Sequence, residues 1–407
     1  MTELTTLKPE TAGLSSARIA RIDPWMRRQV ESGRLAGLEV MIYRRGGTVF
    51  HRCFGKRDLA RGTDATPDTI YRIYSMTKAM TSVAIMMLHE EGRFQLDDPI
   101  NRFVPVFSNM RVFTGGGYGA TITEPAQRDV TFRDLLTHTS GLTYGFMQAT
   151  PVDAAYRAKG IELPGTDKPL AEVIDLIAAQ PLIAQPGTEW NYSVSTDVLG
   201  HLIAVVSGQP FDQFLREKVI GPLGMTDTDF HVPAGKVARF AASYTRGEDG
   251  KLKLIDDPEK SRYLAPTKTT SGGGGLVSTA RDYMRFCQML LGRGALGGTR
   301  LLGRKTVELM TMNHLDGDMA AMGQPRFSEA TYHGIGFGLG FSVMLDPAKA
   351  QITGTPGECA WGGIASTAFW FDPVEDLAVV IMTQLVTSST YPLRRELRVL
   401  TYQAIVD

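Results

Sequence analysis

Two pairs of β-rich runs stand near opposite ends of this chain, and they limit its possible folds more than any other feature. Residues 38–43 and 48–54 flank Arg45-Gly46-Gly47, and residues 366–371 and 377–385 flank Asp372-Pro373-Val374-Glu375-Asp376. Each pair reads as a hairpin, so an antiparallel sheet must collect strands from both termini. Between them, from Ser75 to about Thr270, the pattern is mostly helical, broken by a Gly/Pro-rich loop at 114–125 and a second loop at 247–266. Thr131-Phe132-Arg133-Asp134 fits a capping box that opens a short helix ending at Gly141, and Thr279-Ala280-Arg281-Asp282 fits a second box. The expectation is an α/β chain of the α+β type. Residues 1–74 and 270–407 form a sheet-containing lobe, residues 75–269 form an inserted helical region, and a ligand cleft lies between them.

With 407 residues, 43% of them hydrophobic, the chain can bury a large core. Lys+Arg and Asp+Glu both number 43, which leaves no global field to attract nucleic acid or an anionic membrane surface. A small, weakly charged molecule is the expected partner, with the oligomeric state left open. The first eight residues have neither a basic nor an apolar stretch of the signal-peptide kind, and no later segment is long and apolar enough to span a bilayer. A soluble, cytoplasmic protein is therefore expected. Cys53, Cys287 and Cys359 are widely spaced without a C-x-x-C, which points to buried free thiols rather than to disulfides or zinc.

Ser75 is the only serine followed three residues later by a lysine, in Ser75-Met76-Thr77-Lys78. Met76, Met80, Val83, Ala84, Met87 and Leu88 fall at helical spacing, and Gly92 ends the run, so Ser75 stands at a helix entrance. Residues three apart share a face, which sets hydroxyl beside ammonium. The free N–H groups and positive pole of that end favour an alkoxide. A second element is Trp190-Asn191-Tyr192-Ser193, preceded by Pro186-Gly187. Tyr192 reads either as a half-buried tyrosine or as a proton acceptor facing the cleft. With a reference pKa of about 10, the second role requires stabilising the phenolate by roughly 3 to 4 kcal/mol, which the Lys78 ammonium could supply. The third element is Ala360-Trp361-Gly362-Gly363-Ile364-Ala365-Ser366. Its two glycines let a strand edge approach a substrate closely enough for a backbone N–H to bond an acyl oxygen, or they mark a simple bulge.

In this order, these three elements resemble the serine β-lactamase-like superfamily, and most closely the family VIII carboxylesterases related to class C β-lactamases and DD-peptidases. The likeness extends through Leu135-Leu136-Thr137-His138-Thr139-Ser140-Gly141-Leu142, Ser271-Gly272-Gly273-Gly274-Gly275-Leu276 and Gly336-Phe337-Gly338-Leu339-Gly340. The resemblance implies an antiparallel sheet flanked by helices plus a helical region. It implies Ser75 as nucleophile, Lys78 as its partner, Tyr192 as base, and the N–H groups of Ser75 and Ile364 as the oxyanion hole. It places Tyr144 and Trp361, with Gly362 and Gly363, along the substrate. No cofactor or metal is implied.

Two departures separate members of that superfamily. Where β-lactamases of this kind carry the K-T-G cation, this chain has Trp361, and the Y-x-N asparagine is replaced by Val194. Lys268-Thr269-Thr270 precedes the glycine run and is no substitute. Both changes replace polar recognition by apolar surface, which suits neutral esters. The expected function is therefore carboxyl-ester hydrolysis. β-Lactam or cell-wall peptide cleavage, small-amide hydrolysis, acyl transfer and a non-catalytic binding role remain as alternatives. His138 sits in a motif that reads as structural, His89-Glu90-Glu91 lacks a zincin's second histidine, there is no G-x-S-x-G, and no lysine completes a P-loop from the glycine run.

Overall fold

The computed structural model describes residues 5–407 apart from Gln324, Pro325 and Ser328. Arg45 and Gly46 both take positive φ (47° and 93°), the geometry a two-residue hairpin turn demands, and they join β1 (Gly37–Arg44) to β2 (Gly47–Asp58). A short β3 (Thr63–Asp64) follows. The remaining strands of the main sheet are β4 (Ile335–Phe337), β5 (Ser342–Met344), β6 (Cys359–Gly362), β7 (Ala368–Asp372) and β8 (Leu377–Met382). Their order is β4-β5-β6-β7-β8-β1-β2-β3. Every neighbouring pair is antiparallel. The two ends of the chain meet at β1 and β8, where Glu39 faces Met382 and Arg44 faces Leu377.

The helices that frame the site are α1 (Ile22–Glu31), α2 (Thr77–Glu90), α3 (Phe132–Leu136), α4 (Ser195–Ser207), α5 (Ala280–Leu291) and α6 (Leu393–Tyr402). Side chains of β1 alternate between two cores. Val40 and Ile42 join Trp25, Met26 and Leu397 of α1 and α6, whereas Met41 joins the larger cluster containing α2 and α5. The sheet is thus the middle layer of three. Residues 77–86 of α2 are all buried, as expected of a helix enclosed on every side, and α4 packs directly beside it.

Four local features differ from the sequence reading. The Gly/Pro-rich stretch forms a hairpin, Arg111–Gly117 with Ala120–Pro125, in which Val112, Phe113, Thr121 and Thr123 supply β-formers between the glycines. The 247–266 loop contains the strand Leu252–Asp256, paired with Ser243–Arg246, which in turn lies parallel to Leu385–Val386. Such short strands depend on a partner far away in sequence. The helix opened by Thr131 ends at Leu136, and His138, not Gly141, is the first residue beyond it with positive φ (58°). The Thr131 box is complete. At Thr279 only half the box forms, because Asp282 turns to accept from the Asp227 amide and the Thr228 hydroxyl.

Candidate active site

Ser75 occupies a single 3-10 turn, Tyr74–Met76, immediately before α2. Tyr74 has φ 43°, a left-handed conformation that costs a non-glycine residue on the order of 1–3 kcal/mol and persists only where the surroundings enforce it. Here they do. The Ile73 amide donates to the Leu276 carbonyl (3.1 Å), and the Tyr283 hydroxyl donates to the Met76 carbonyl (2.9 Å), so the turn is pinned on both sides.

The Tyr192 hydroxyl donates to Ser75 Oγ at 2.6 Å. Lys78 is buried, and Nζ reaches the Gly273 carbonyl (2.7 Å), the Tyr144 hydroxyl (2.9 Å) and Ser75 Oγ (3.4 Å), which uses all three ammonium donors. The same Nζ lies 4.6 Å from the centroid of the Tyr192 ring and 5.2 Å from that of Tyr144. The hydroxyl of Ser75 in the turn before α2, the ammonium of Lys78 on α2 and the phenol of Tyr192 on a distant loop therefore meet at one point.

Backbone bonds to the Leu135–Leu142 motif position Tyr192. The Asn191 amide donates to the His138 carbonyl (2.8 Å), that of Gly187 to the Thr139 carbonyl (2.7 Å), and that of Val194 to the Thr143 carbonyl (3.2 Å). His138 itself is buried beside the Tyr192 ring (5.2 Å between centroids), with Nδ1 3.1 Å from Ser193 Oγ. Burial, and secondarily the Lys78 charge, push its pKa well below the usual histidine value. It is a neutral buttress rather than a member of a triad.

The end of β6 packs against the turn that carries Ser75. A Cβ on Gly363 would lie 2.5 Å from the Ile73 carbonyl oxygen, and one on Gly362 would lie 2.5 Å from Arg394 Nη2. The close approach these glycines permit is thus to the protein's own backbone and to a guanidinium. Ser75 and Ile364 border one cavity of about 460 Å³, shared with Tyr144, Trp361, Tyr192, Gly362 and Gly363. Trp361 packs among Tyr192, Phe337 and Trp190, and Lys268 is exposed and does not border the cavity.

Three residues of the site went unread in the sequence. Asp197, buried on α4, accepts from the Ser271 hydroxyl and the Gly273 amide, and so holds the loop whose carbonyl receives Lys78. Burial raises its carboxyl above the usual range, while the Lys78 charge and these donors pull the other way. Arg394 of α6 donates from Nη2 to the carbonyls of Gly363 (2.9 Å) and Thr367 (3.0 Å). The third is Tyr74. An aspartate at a helix start and an arginine near a C-terminus carry no local signal of their partners.

A sheet of this topology beside a buried Ser-Lys-Tyr cluster defines the β-lactamase-like superfamily of serine hydrolases and acyltransferases. The chain belongs to the Beta-lactamase family, whose model matches residues 22–403. It is 37% identical over 368 residues to Protein Rv1367c of Mycobacterium tuberculosis, covering 88% of each chain. It is 29% identical over 395 residues to Esterase EstB of Burkholderia gladioli, covering 93% of each. Among solved structures it is similar to EstCE1, a hydrolase with promiscuous acyltransferase activity, with TM-score 0.80, 27% identity and coverage of 95% of this chain and 99% of the other. Among the described residues, no helix is long and apolar enough to cross a membrane.

Proposed function

We propose that this chain is a serine carboxylesterase that hydrolyses small, short-chain acyl esters through an acyl-enzyme on Ser75. The observation that carries this reading is the 2.6 Å contact between the Tyr192 hydroxyl and Ser75 Oγ, with the Lys78 ammonium buried beside both. Tyr192, beside the Lys78 cation, acts as the general base that takes the Ser75 proton as Oγ attacks the ester carbonyl. The N–H groups of Ser75 and Ile364 stabilise the oxyanion. The carbonyl re-forms, the ester C–O bond breaks, and Tyr192 returns its proton to the departing alcohol. Water then repeats the sequence on the acyl-enzyme and frees the acid and Ser75. Asp197 and Gly273 position Lys78 throughout.

The preference for neutral esters rests on Trp361, which lines the cavity with apolar surface where a β-lactam would need a cation; Val194 is fully buried and brings no amide to the cavity. Arg394 borders the cavity, but its Nη2 is bonded to two carbonyls. A second reading, acyl transfer to an alcohol, draws on Phe146, which is half exposed at the cavity rim, stacked on Tyr144 at 4.7 Å, and suited to an apolar acceptor. The deciding experiment compares p-nitrophenyl acetate, p-nitrophenyl butyrate and nitrocefin with wild type and Ser75→Ala. Fast ester cleavage abolished by Ser75→Ala is expected. Dominant nitrocefin turnover would overturn the ester assignment, and turnover surviving in Ser75→Ala would overturn the nucleophile.

A further inference from the structure

Away from the Ser75 cavity, the β1–β2 hairpin brings together three side chains of complementary ligand chemistry. His51 and Cys53 are two apart on β2 and so share a face, and Glu39 stands directly opposite Cys53 on β1. One ligand atom from each, imidazole nitrogen, thiol sulfur and carboxylate oxygen, lies within 4.8 Å of the others. None of the three borders the Ser75 cavity.

The carboxylate is the anomaly. Glu39 is completely buried in the middle of the sheet, where an ionised carboxylate costs several kcal/mol unless it is matched. His51 Nε2 meets only one of its oxygens, at 2.8 Å, and Oε2 has no hydrogen-bond partner. The buried Tyr71 hydroxyl and the Cys53 thiol both lie close enough to this carboxylate to favour its charged form.

We propose that Glu39, His51 and Cys53 form a binding site for a divalent transition-metal ion of borderline softness, of the Zn²⁺ or Co²⁺ class. An N, O and S donor set suits such ions, whose bonds of about 2.0–2.3 Å put tetrahedral ligands roughly 3.3–3.8 Å apart. Opening the Glu39–His51 contact by about half an ångström within that geometry admits the ion between them. Carboxylate and thiolate together neutralise the dication. Cys53 binds by giving its thiol proton to solvent, so one proton leaves as the Co–S bond forms. Access comes through His51, which is a quarter exposed and lines a second cavity of about 750 Å³ together with Asp68 and Asp282. Solvent from that cavity supplies the fourth ligand. This proposal is independent of the esterase reading. Sequence spacing alone argues against zinc because the cysteines are widely spaced without a C-x-x-C; strand alternation and cross-strand pairing are what assemble the set.

The test is a Co²⁺ titration of the full chain after chelation and desalting, followed by near-ultraviolet absorption. One equivalent should bind with a thiolate-to-cobalt charge-transfer band. Cys53→Ser should abolish the band. His51→Gln should weaken affinity at least ~100-fold, since losing even an outer partner of a metal ligand typically costs ~10–100-fold. Ester hydrolysis by both variants should match wild type, which also reports that they fold. Absence of the band in wild type, or its persistence in Cys53→Ser, overturns the proposal whatever the variants' stability.

Discussion

The backbone N–H of Ile364, a proposed oxyanion donor, cannot be removed by truncating a side chain, but this structure allows it to be displaced. Gly363 immediately precedes Ile364, and its backbone is not in the left-handed region, so alanine there introduces a contact without dihedral strain. The new Cβ would lie 2.5 Å from the Ile73 carbonyl oxygen and 2.4 Å from Thr367 Oγ1. Thr367 can rotate away. The Ile73 backbone cannot, because Ile73 is tied to Leu276 and leads directly into the pinned turn of Ser75. To reach an ordinary contact of 3.4 Å, β6 and that turn must part by about 1 Å. A misplacement of this size costs on the order of 10²-fold in rate, and the overpacking costs roughly 1–3 kcal/mol of stability. The assay is kcat for p-nitrophenyl butyrate, the rate of fluorophosphonate labelling at Ser75, and a urea melt. Gly235→Ala serves as control, since its added Cβ meets nothing within 4 Å. Gly363→Ala should lose about two orders of magnitude in kcat while remaining folded. A folded variant with unchanged kcat would refute the placement of the oxyanion donor at Ile364.

Tyr192→Phe removes only the hydroxyl that touches Ser75, so kcat should fall ~10²- to 10⁴-fold, as expected for a lost general base, with stability changed by no more than about 1.5 kcal/mol. Lys78→Ala should lose a comparable amount of kcat, and a mild effect of either with intact circular dichroism would show that the base is misassigned. The pH dependence of stability should carry a term from His138, whose folded pKa lies below its unfolded value. Above about pH 6.5 both states hold it neutral; as pH falls further, the unfolded chain takes up a proton that the folded chain refuses, so stability is lost toward acid until the folded pKa is passed. His138→Asn, which tolerates the positive φ, should flatten that part of the slope in urea melts at pH 7, 6 and 5, and an unchanged slope would locate the titration elsewhere.

The sequence carried the antiparallel sheet and its two hairpins because period-2 alternation and turn residues are local properties. Residues 48–54 and 377–382 lie in the strands they suggested, and Gly92 falls just past the end of α2. It carried Ser75 and Lys78 as a pair because one turn of a single helix relates them. Tyr192 needed more: only the backbone bonds to residues 138–143 bring it to Ser75, and in the sequence its place rested on resemblance. The stretches 114–125 and 247–266 read as loops in the sequence because glycines and short strand lengths mask a pairing settled elsewhere.

What the sequence determined alone is therefore what neighbouring residues decide: element type, helix entrance, hairpin turns and the apolar substitution at Trp361. The tertiary structure decided the rest. It matched the three Lys78 donors to three acceptors from different segments, set Asp197 behind Gly273, and drew Gly363 against Ile73. It also placed the thiol of Cys53 across from the buried carboxylate of Glu39. Each of these depends on contacts between residues that are remote along the chain. Such contacts form only when the buried groups must find partners inside one closed core, and no local window of sequence contains that constraint.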